Sequence, residues 1–327
     1  MEIGSFLELQ LPKGREFYNQ KTNIARLNTG RMGIWHAFRV LQQAQESRCK
    51  RIWIPIYQCD SIRKTFEKMG VEMCFYHQDK DWNPLDIEAT DSDAVLLVNY
   101  YGIMSSGRMA ELARHYKHAI IDCAQAFFCR PVEEALTIYS CRKFVGAPDG
   151  AYVVGENAHK FMEEYPQCYS SDTAAFLLMR IEYGCEGRGY EARSLNEHRI
   201  DAENCMKMSK LTRTLMDAED YAHNSQKRKE NFAYAQEQLG DINRIDPTRY
   251  MDEETVPMVY PLVVENDELI QKLLAAKHFQ GHWWSYICEE QPESSFEHWI
   301  SRYVIPITID QRYGQKELDY LIKIIKG

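Results

Sequence analysis

Short apolar runs alternate with stretches of helical periodicity through the first half of the chain. After the turn-like Asn28, Thr29 and Gly30, the apolar residues Ile34, Ala37, Phe38 and Leu41 recur at helical spacing, which predicts a helix over 31–45. RIWIPI (51–56) reads as a strand, 60–69 as a helix stopped by Gly70, and VEMCFY (71–76) as the next strand. The rhythm continues with AVLLVN (94–99), a helical stretch over 107–116, HAIID (118–122), LTIYS (136–140) and AYVV (151–154). Apolar strands separated by helices predict an α/β fold, with a largely parallel sheet covered on both faces.

From 204 to 239 the pattern is helical and rich in charge until Asp246-Pro247 breaks it. Beyond lie a strand over 256–264, a helix over 266–281, a strand over 303–309 and a last helix over 315–325, enough for a small α/β unit. The chain therefore divides into a large domain, 1–210, and a small C-terminal domain, 211–327, with a long connecting helix. No internal repeat and no low-complexity tract interrupts this order.

Composition narrows the function. With 327 residues, 45% of them hydrophobic, the chain supplies a sizeable core. Its 39 Lys plus Arg against 48 Asp plus Glu leave a net charge of −9 and no dense basic run to track a phosphate backbone, so no nucleic-acid partner is expected. The ten cysteines are scattered without a C-x-x-C pair, and the histidines lack metal-like spacing. Both patterns read as reduced thiols and no metal site in a cytoplasmic protein. The start MEIGSFLELQLPKG has no signal-peptide pattern, no run approaches ~18 apolar residues, and no membrane attachment is expected.

Against this background the residues that carry chemistry are Asp122 and Gln125 in AIIDCAQAFF and Lys143 in YSCRKFVGAPDG. Singly, Lys143 reads as a solvated loop lysine and Asp122 as a helix cap. In this order, an aspartate at one strand end and a lysine after a later strand are what a pyridoxal phosphate (PLP) site needs. The amine forms a Schiff base with the aldehyde, and the carboxylate keeps the pyridine nitrogen protonated.

IIDCAQAF, the Ser140-Cys141-Arg142-Lys143 step, Asp149-Gly150-Ala151, VNYYG (98–102) and LNTGRMGIWHAF together resemble the DegT/DnrJ/StrS family of PLP-dependent sugar aminotransferases. The resemblance runs from about Ile24 to the C-terminus by element order. It implies the type I aspartate-aminotransferase fold of PLP-dependent transferases: a large domain with a mostly parallel mixed sheet covered by helices, plus a small C-terminal α/β domain. Lys143 and Asp122 become the catalytic pair, Gln125 the neighbour of the ring's phenolic oxygen and Ser140 a phosphate contact. The N–H groups of Gly30, Arg31 and Met32 meet the phosphate at a helix N-terminus. Two side chains compete to cover a ring face: Cys59 holds the family register, while Tyr57 is the longer and the one expected to reach the ring, the two sharing a side if the strand continues. The interval from Asp122 to Lys143 is short for the family and implies a trimmed loop.

The resemblance further implies an amino-acid donor, commonly glutamate, and a nucleotide-linked keto-sugar acceptor, in surface-polysaccharide or related sugar biosynthesis. It also implies a homodimer. KMS (207–209) resembles the family's Met-Ser step, whose preceding asparagine reaches the neighbouring subunit's phosphate, but Cys205 is the aligned residue and Asn204 stands one place off. Arg180, Arg188, Arg193 and Arg199, in a loop-like stretch over 169–199, are candidate phosphate or carboxylate contacts. A PLP enzyme of the same fold with a non-sugar substrate, and a non-catalytic PLP-binding scaffold or regulator, remain as alternatives.

Overall fold

The computed structural model describes residues 3–43 and 49–327; the expected end of the first helix at Gln45 lies outside them. Eight strands form one sheet: β1 (Ile24–Leu27), β2 (Arg51–Pro55), β3 (Glu72–Gln78), β4 (Pro84–Leu85), β5 (Asp93–Val98), β6 (Ala119–Cys123), β7 (Leu136–Ser140) and β8 (Ala151–Val154). Their order is β1-β8-β7-β6-β5-β2-β3-β4, parallel from β3 through β7, with β8, β1 and β4 antiparallel to the strands they join. Strands β5 to β8 are buried at every position, the signature of a sheet covered on both faces.

The covering helices include α1 (Gly30–Gln42), α2 (Asp60–Lys68) and α3 (Ser106–Ala113). Helix α1 lies close on the sheet at Gly33, where an added Cβ would stand 3.0 Å from Ile138 Cγ2 and 3.3 Å from Val153 Cγ2. The strand β1 was not expected from the sequence. The stretch over 169–199 is no loop either: it holds α4 (Ala175–Tyr183) and α5 (Arg188–Ala202), a helical hairpin whose apolar residues Leu178 and Ile181 point outward. Their exposure removes the inward-facing periodicity by which a helix is read.

The charge-rich region is two helices, α6 (Lys210–Asp217) and α7 (Tyr221–Leu239), because Asp220 caps a new start by accepting the His223 N–H at 3.0 Å. The C-terminal part comprises β9 (Val259–Val263), α8 (Leu269–Ala275), α9 (Ile287–Glu290), α10 (Phe296–Tyr303), β10 (Val304–Thr308) and α11 (Gln315–Lys326), with β9 and β10 antiparallel. Helix α8 ends before the expected Gly281, since Lys277 adopts φ 63° and the His278 N–H bonds the Leu273 carbonyl at 2.9 Å, a Schellman closure.

This topology sends the C-terminal ends of β1, β2, β5, β6 and β7 to one edge of the sheet, where open α/β sheets bind ligands. At the end of β5 the backbone turns sharply: Tyr101 has φ 58° and Gly102 φ 74°, and a Cβ on Gly102 would stand 2.4 Å from the Gln125 carbonyl oxygen. Gly102→Ala is expected to cost at least about 1–3 kcal/mol from the left-handed backbone alone. Urea denaturation should give a lower midpoint at unchanged slope; a wild-type midpoint would mean that the turn tolerates a side chain.

Candidate active site

Asp122 lies near the end of β6, between Val98 of β5 and Ile138 of β7. It is only 7% exposed; Oδ1 accepts the Ala124 N–H at 2.8 Å, and Oδ2 has no partner among the described residues. Burial pushes the Asp122 carboxyl above its ordinary range, while the neighbouring Lys143 charge and the Ala124 N–H hold it back. Lys143 closes the 3-10 turn Cys141–Lys143 that follows β7. Its side chain is exposed, and its amine has no hydrogen bond or ion pair among the described residues. The two residues singled out from the sequence thus come together as a buried acid with one free oxygen and an unengaged amine. Gln125, also buried, accepts the Tyr101 N–H on Oε1 at 2.7 Å and keeps its amide nitrogen unengaged.

The N-terminus of α1 forms the other wall. Thr29, with φ −142°, is its cap, and its Oγ1 accepts the Met32 N–H at 3.3 Å. The sequence expected Met32 to offer its N–H as well, but that donor is taken by Thr29; the open N–H groups are those of Gly30 and Arg31, which point along the positive end of the helix dipole. Register brings Ser140 to this end: Leu27 and Ser140 both pair with Ala151, and a Cβ on Gly30 would stand 3.8 Å from Ser140 Cβ. The Ser140 hydroxyl has no partner among the described residues. The Arg31 guanidinium turns away to Asp201 at 2.5 Å.

Backbone bonds stitch this wall together: the Gly150 N–H donates to the Asn28 carbonyl at 2.6 Å, and the Cys141 N–H to the Gly150 carbonyl at 3.1 Å. Asp149 anchors the next layer, accepting the Ser209 N–H at 2.8 Å, the Ser209 hydroxyl at 2.6 Å and the Thr212 hydroxyl. Ser209 of the KMS step is thus the cap of α6. Cys205 is buried, and Asn204 is exposed with its carbonyl accepting from Asn28 Nδ2 at 3.0 Å.

The expectation that Tyr57 reaches a ring face does not fit the packing. Its side chain is fully buried, its ring centroid 4.7 Å from that of Trp284 and 5.4 Å from that of Tyr100, with its hydroxyl 2.5 Å from that of Tyr101. Strand β2 ends at Pro55, and the Gln58 N–H bonds the Ile56 carbonyl at 3.1 Å. The alternation that would place Tyr57 and Cys59 on one side is thereby lost. Cys59, half-buried at the start of α2, retains accessible surface.

Among the arginines of α4 and α5, Arg199 pairs with Glu203 at 2.7 Å and Arg188 covers the Tyr183 ring at 5.1 Å. Arg193 is 4.0 Å from Glu197, and Arg180 has no carboxylate partner among the described residues. Sequence reasoning passed over Arg142, which ties Lys143's own turn to Glu197 of α5, and Asn196, whose amide donates to the Pro148 carbonyl at 2.9 Å. A cleft of about 280 Å³ bordered by Gly102, Ala126 and Cys129 lies elsewhere, with neither Lys143 nor Asp122 in its walls. Among the described residues no cluster of three or more His, Cys, Asp or Glu is placed to hold a metal, and no helix is long and apolar enough to cross a membrane.

No family model matches the chain, and no curated protein matches it. Solved structures do. The sugar aminotransferase CalS13 from Micromonospora echinospora superposes with TM-score 0.61 at 14% identity, over 93% of this chain and 87% of that one. A DegT DnrJ EryC1 StrS aminotransferase from Brucella abortus gives TM-score 0.61 at 13% identity, over 93% and 85%. Spr1654 from Streptococcus pneumoniae, solved in its PLP form, gives 0.63 at 15% identity, over 93% and 86%. Across nearly its whole length, the chain has the fold of these aminotransferases.

Proposed function

We propose that the chain is a PLP-dependent aminotransferase that moves an amino group from an amino-acid donor, glutamate by resemblance, to a keto-sugar carried on a nucleotide. The observation that carries this reading is the pairing of an unengaged Lys143 amine with a buried Asp122 whose Oδ2 is free, at the C-terminal edge of the sheet. The cradle fits the cofactor on its own evidence of unpaired groups. Gly30 and Arg31 N–H and the Ser140 hydroxyl suit a phosphate, Asp122 Oδ2 suits a protonated ring nitrogen, and the Gln125 amide nitrogen suits the phenolic oxygen.

When bound, PLP supplies an aldehyde for the amine and a ring that withdraws electrons from the donor's α-carbon. Lys143 Nζ would hold the group and, with its amine free beside the donor's α-carbon, would take up and return the proton there. Asp122 faces no protonated partner at Oδ2, so its buried charge is best satisfied by a ring N–H. The Gly30 and Arg31 N–H groups hold the phosphate without a proton transfer of their own.

A second copy of the chain belongs in this reading. Helix α5 meets the Lys143 turn through Glu197 on Arg142 and the segment after it through Asn196 on Pro148, and the hairpin exposes Leu178 at 64%, Ile181 at 82%, Tyr190 at 62% and Leu195 at 68%. Such an apolar surface beside an open site suits a two-fold dimer.

Borohydride reduction of the holoprotein and peptide mapping should find the pyridoxyl group on Lys143. Asp122→Asn, which keeps an acceptor for the Ala124 N–H, should fold yet lose the half-reaction rate by roughly 100-fold or more; label on another lysine, or near-normal turnover in the variant, would defeat the reading. Cys59→Ala should weaken cofactor binding about fourfold through roughly 0.8 kcal/mol of lost contact, with Tyr57→Phe unchanged. The opposite order would restore Tyr57 as the ring-covering residue. Light scattering should give twice the 38.4 kDa chain mass, and Ile181→Asp should shift it toward the monomer; an active wild-type monomer would remove the dimer.

A further inference from the structure

Asp122's turn and Lys143's turn are joined by a second route, through the C-terminal part of the chain. Gln125 Oε1 accepts the Tyr101 N–H at 2.7 Å, and the Tyr101 carbonyl accepts the Met258 N–H at 2.8 Å. The Met258 carbonyl accepts from Arg228 Nη1 at 2.9 Å, and Arg228 Nε donates to Gln311 Oε1 at 3.0 Å. Gln311 Nε2 then donates to the carbonyl of Phe144, the residue after Lys143, at 2.9 Å.

Arg228 is 2% exposed, and its guanidinium carbon lies 4.5 Å from the Phe144 ring centroid. Both its hydrogen-bond partners are neutral, for the nearby Asp310 is engaged twice by Arg312, at 2.9 and 2.7 Å. A cation is buried here at a cost in solvation and used to hold an amide and a carbonyl. The chemistry of the chain of bonds admits one arrangement only. Arginine donates and never accepts, and a backbone carbonyl accepts and never donates. The side chain between them must present an acceptor to one and a donor to the other, which glutamine does and glutamate does not.

We propose that Gln311, oriented by Arg228, is a positioning residue for Lys143, fixing the Phe144 carbonyl and hence the height of the lysine relative to the Asp122–Gln125 turn. The proposal rests on the aminotransferase reading for its consequence in catalysis, but not for the mechanical link itself.

Gln311→Glu separates the two halves of the bridge, since it strengthens the pairing with Arg228 and loses the donor to Phe144. In the full-length protein it should keep or raise the thermal midpoint. At saturating donor its half-reaction rate should fall on the order of 10- to 100-fold, as small misplacements of a reacting group do, with the donor's dissociation constant changed less than about threefold. Gln311→Leu, which removes both bonds without adding charge, should lower the rate similarly. A readout independent of the cofactor is the reductive methylation of Lys143 by formaldehyde and borane, mapped by peptide mass. Its rate should change at least about threefold in both variants relative to exposed Lys272 in the same digest. Wild-type methylation of Lys143 in both variants would overturn the proposal. Altered methylation in a protein that never transaminates would leave the link standing and remove the aminotransferase reading instead.

Discussion

The parallel pairing of β6 with β7 is the constraint on which the candidate site depends. With Asp122 opposite Ile138, the strand ends lie side by side, and the short 3-10 turn after Ser140 leaves Lys143 no room to be carried away from the carboxylate. Everything else at this edge locks onto that pair. The antiparallel β8 places Ala151 between Ser140 and Leu27, which brings the start of α1 to the same corner, and Gly33 lets the helix sit close enough to stay there.

The electrostatics follow from the packing. Asp122 is buried with a single hydrogen bond, so its charge is held by the nearby lysine and by whatever cation meets Oδ2. The opposite corner is complementary, with backbone N–H groups at a helix start and a free hydroxyl, arranged for an anion without a dedicated lysine or arginine. The nearby arginines are instead spent on structure: Arg31 on Asp201, Arg142 on Glu197 and Arg199 on Glu203 tie α5 and its flanks together around the site. A loss of α5 would therefore loosen Lys143's turn as well as the surface.

The C-terminal part does more than cover one side. Among its contacts with the large sheet are those of Met258 on the Tyr101 turn and Gln311 on Phe144, so it grips the two segments that carry the candidate chemistry. Trp283 and Trp284 add an apolar grip, stacking on Tyr101 at 5.5 Å and meeting Tyr57 at 4.7 Å. These aromatic contacts explain why Tyr57 became a wall of the core.

By itself the sequence determined the alternation of strands and helices, since apolar runs bounded by turns bury on both faces whatever their partners. It also marked Asp122 and Lys143, because an acid and a lysine at successive strand ends are conspicuous in so apolar a context. Tertiary structure alone decided the rest. Helices α4 and α5 were illegible because their apolar residues face outward, and the end of α8 because Lys277 adopts a conformation usually left to glycine. The choice between Tyr57 and Cys59 turned on where β2 stops, and the capture of Met32's N–H on the rotamer of Thr29. The bridge from Arg228 through Gln311 to Phe144 joins residues far apart in the chain, and such proximity is a property of packing that no local pattern encodes.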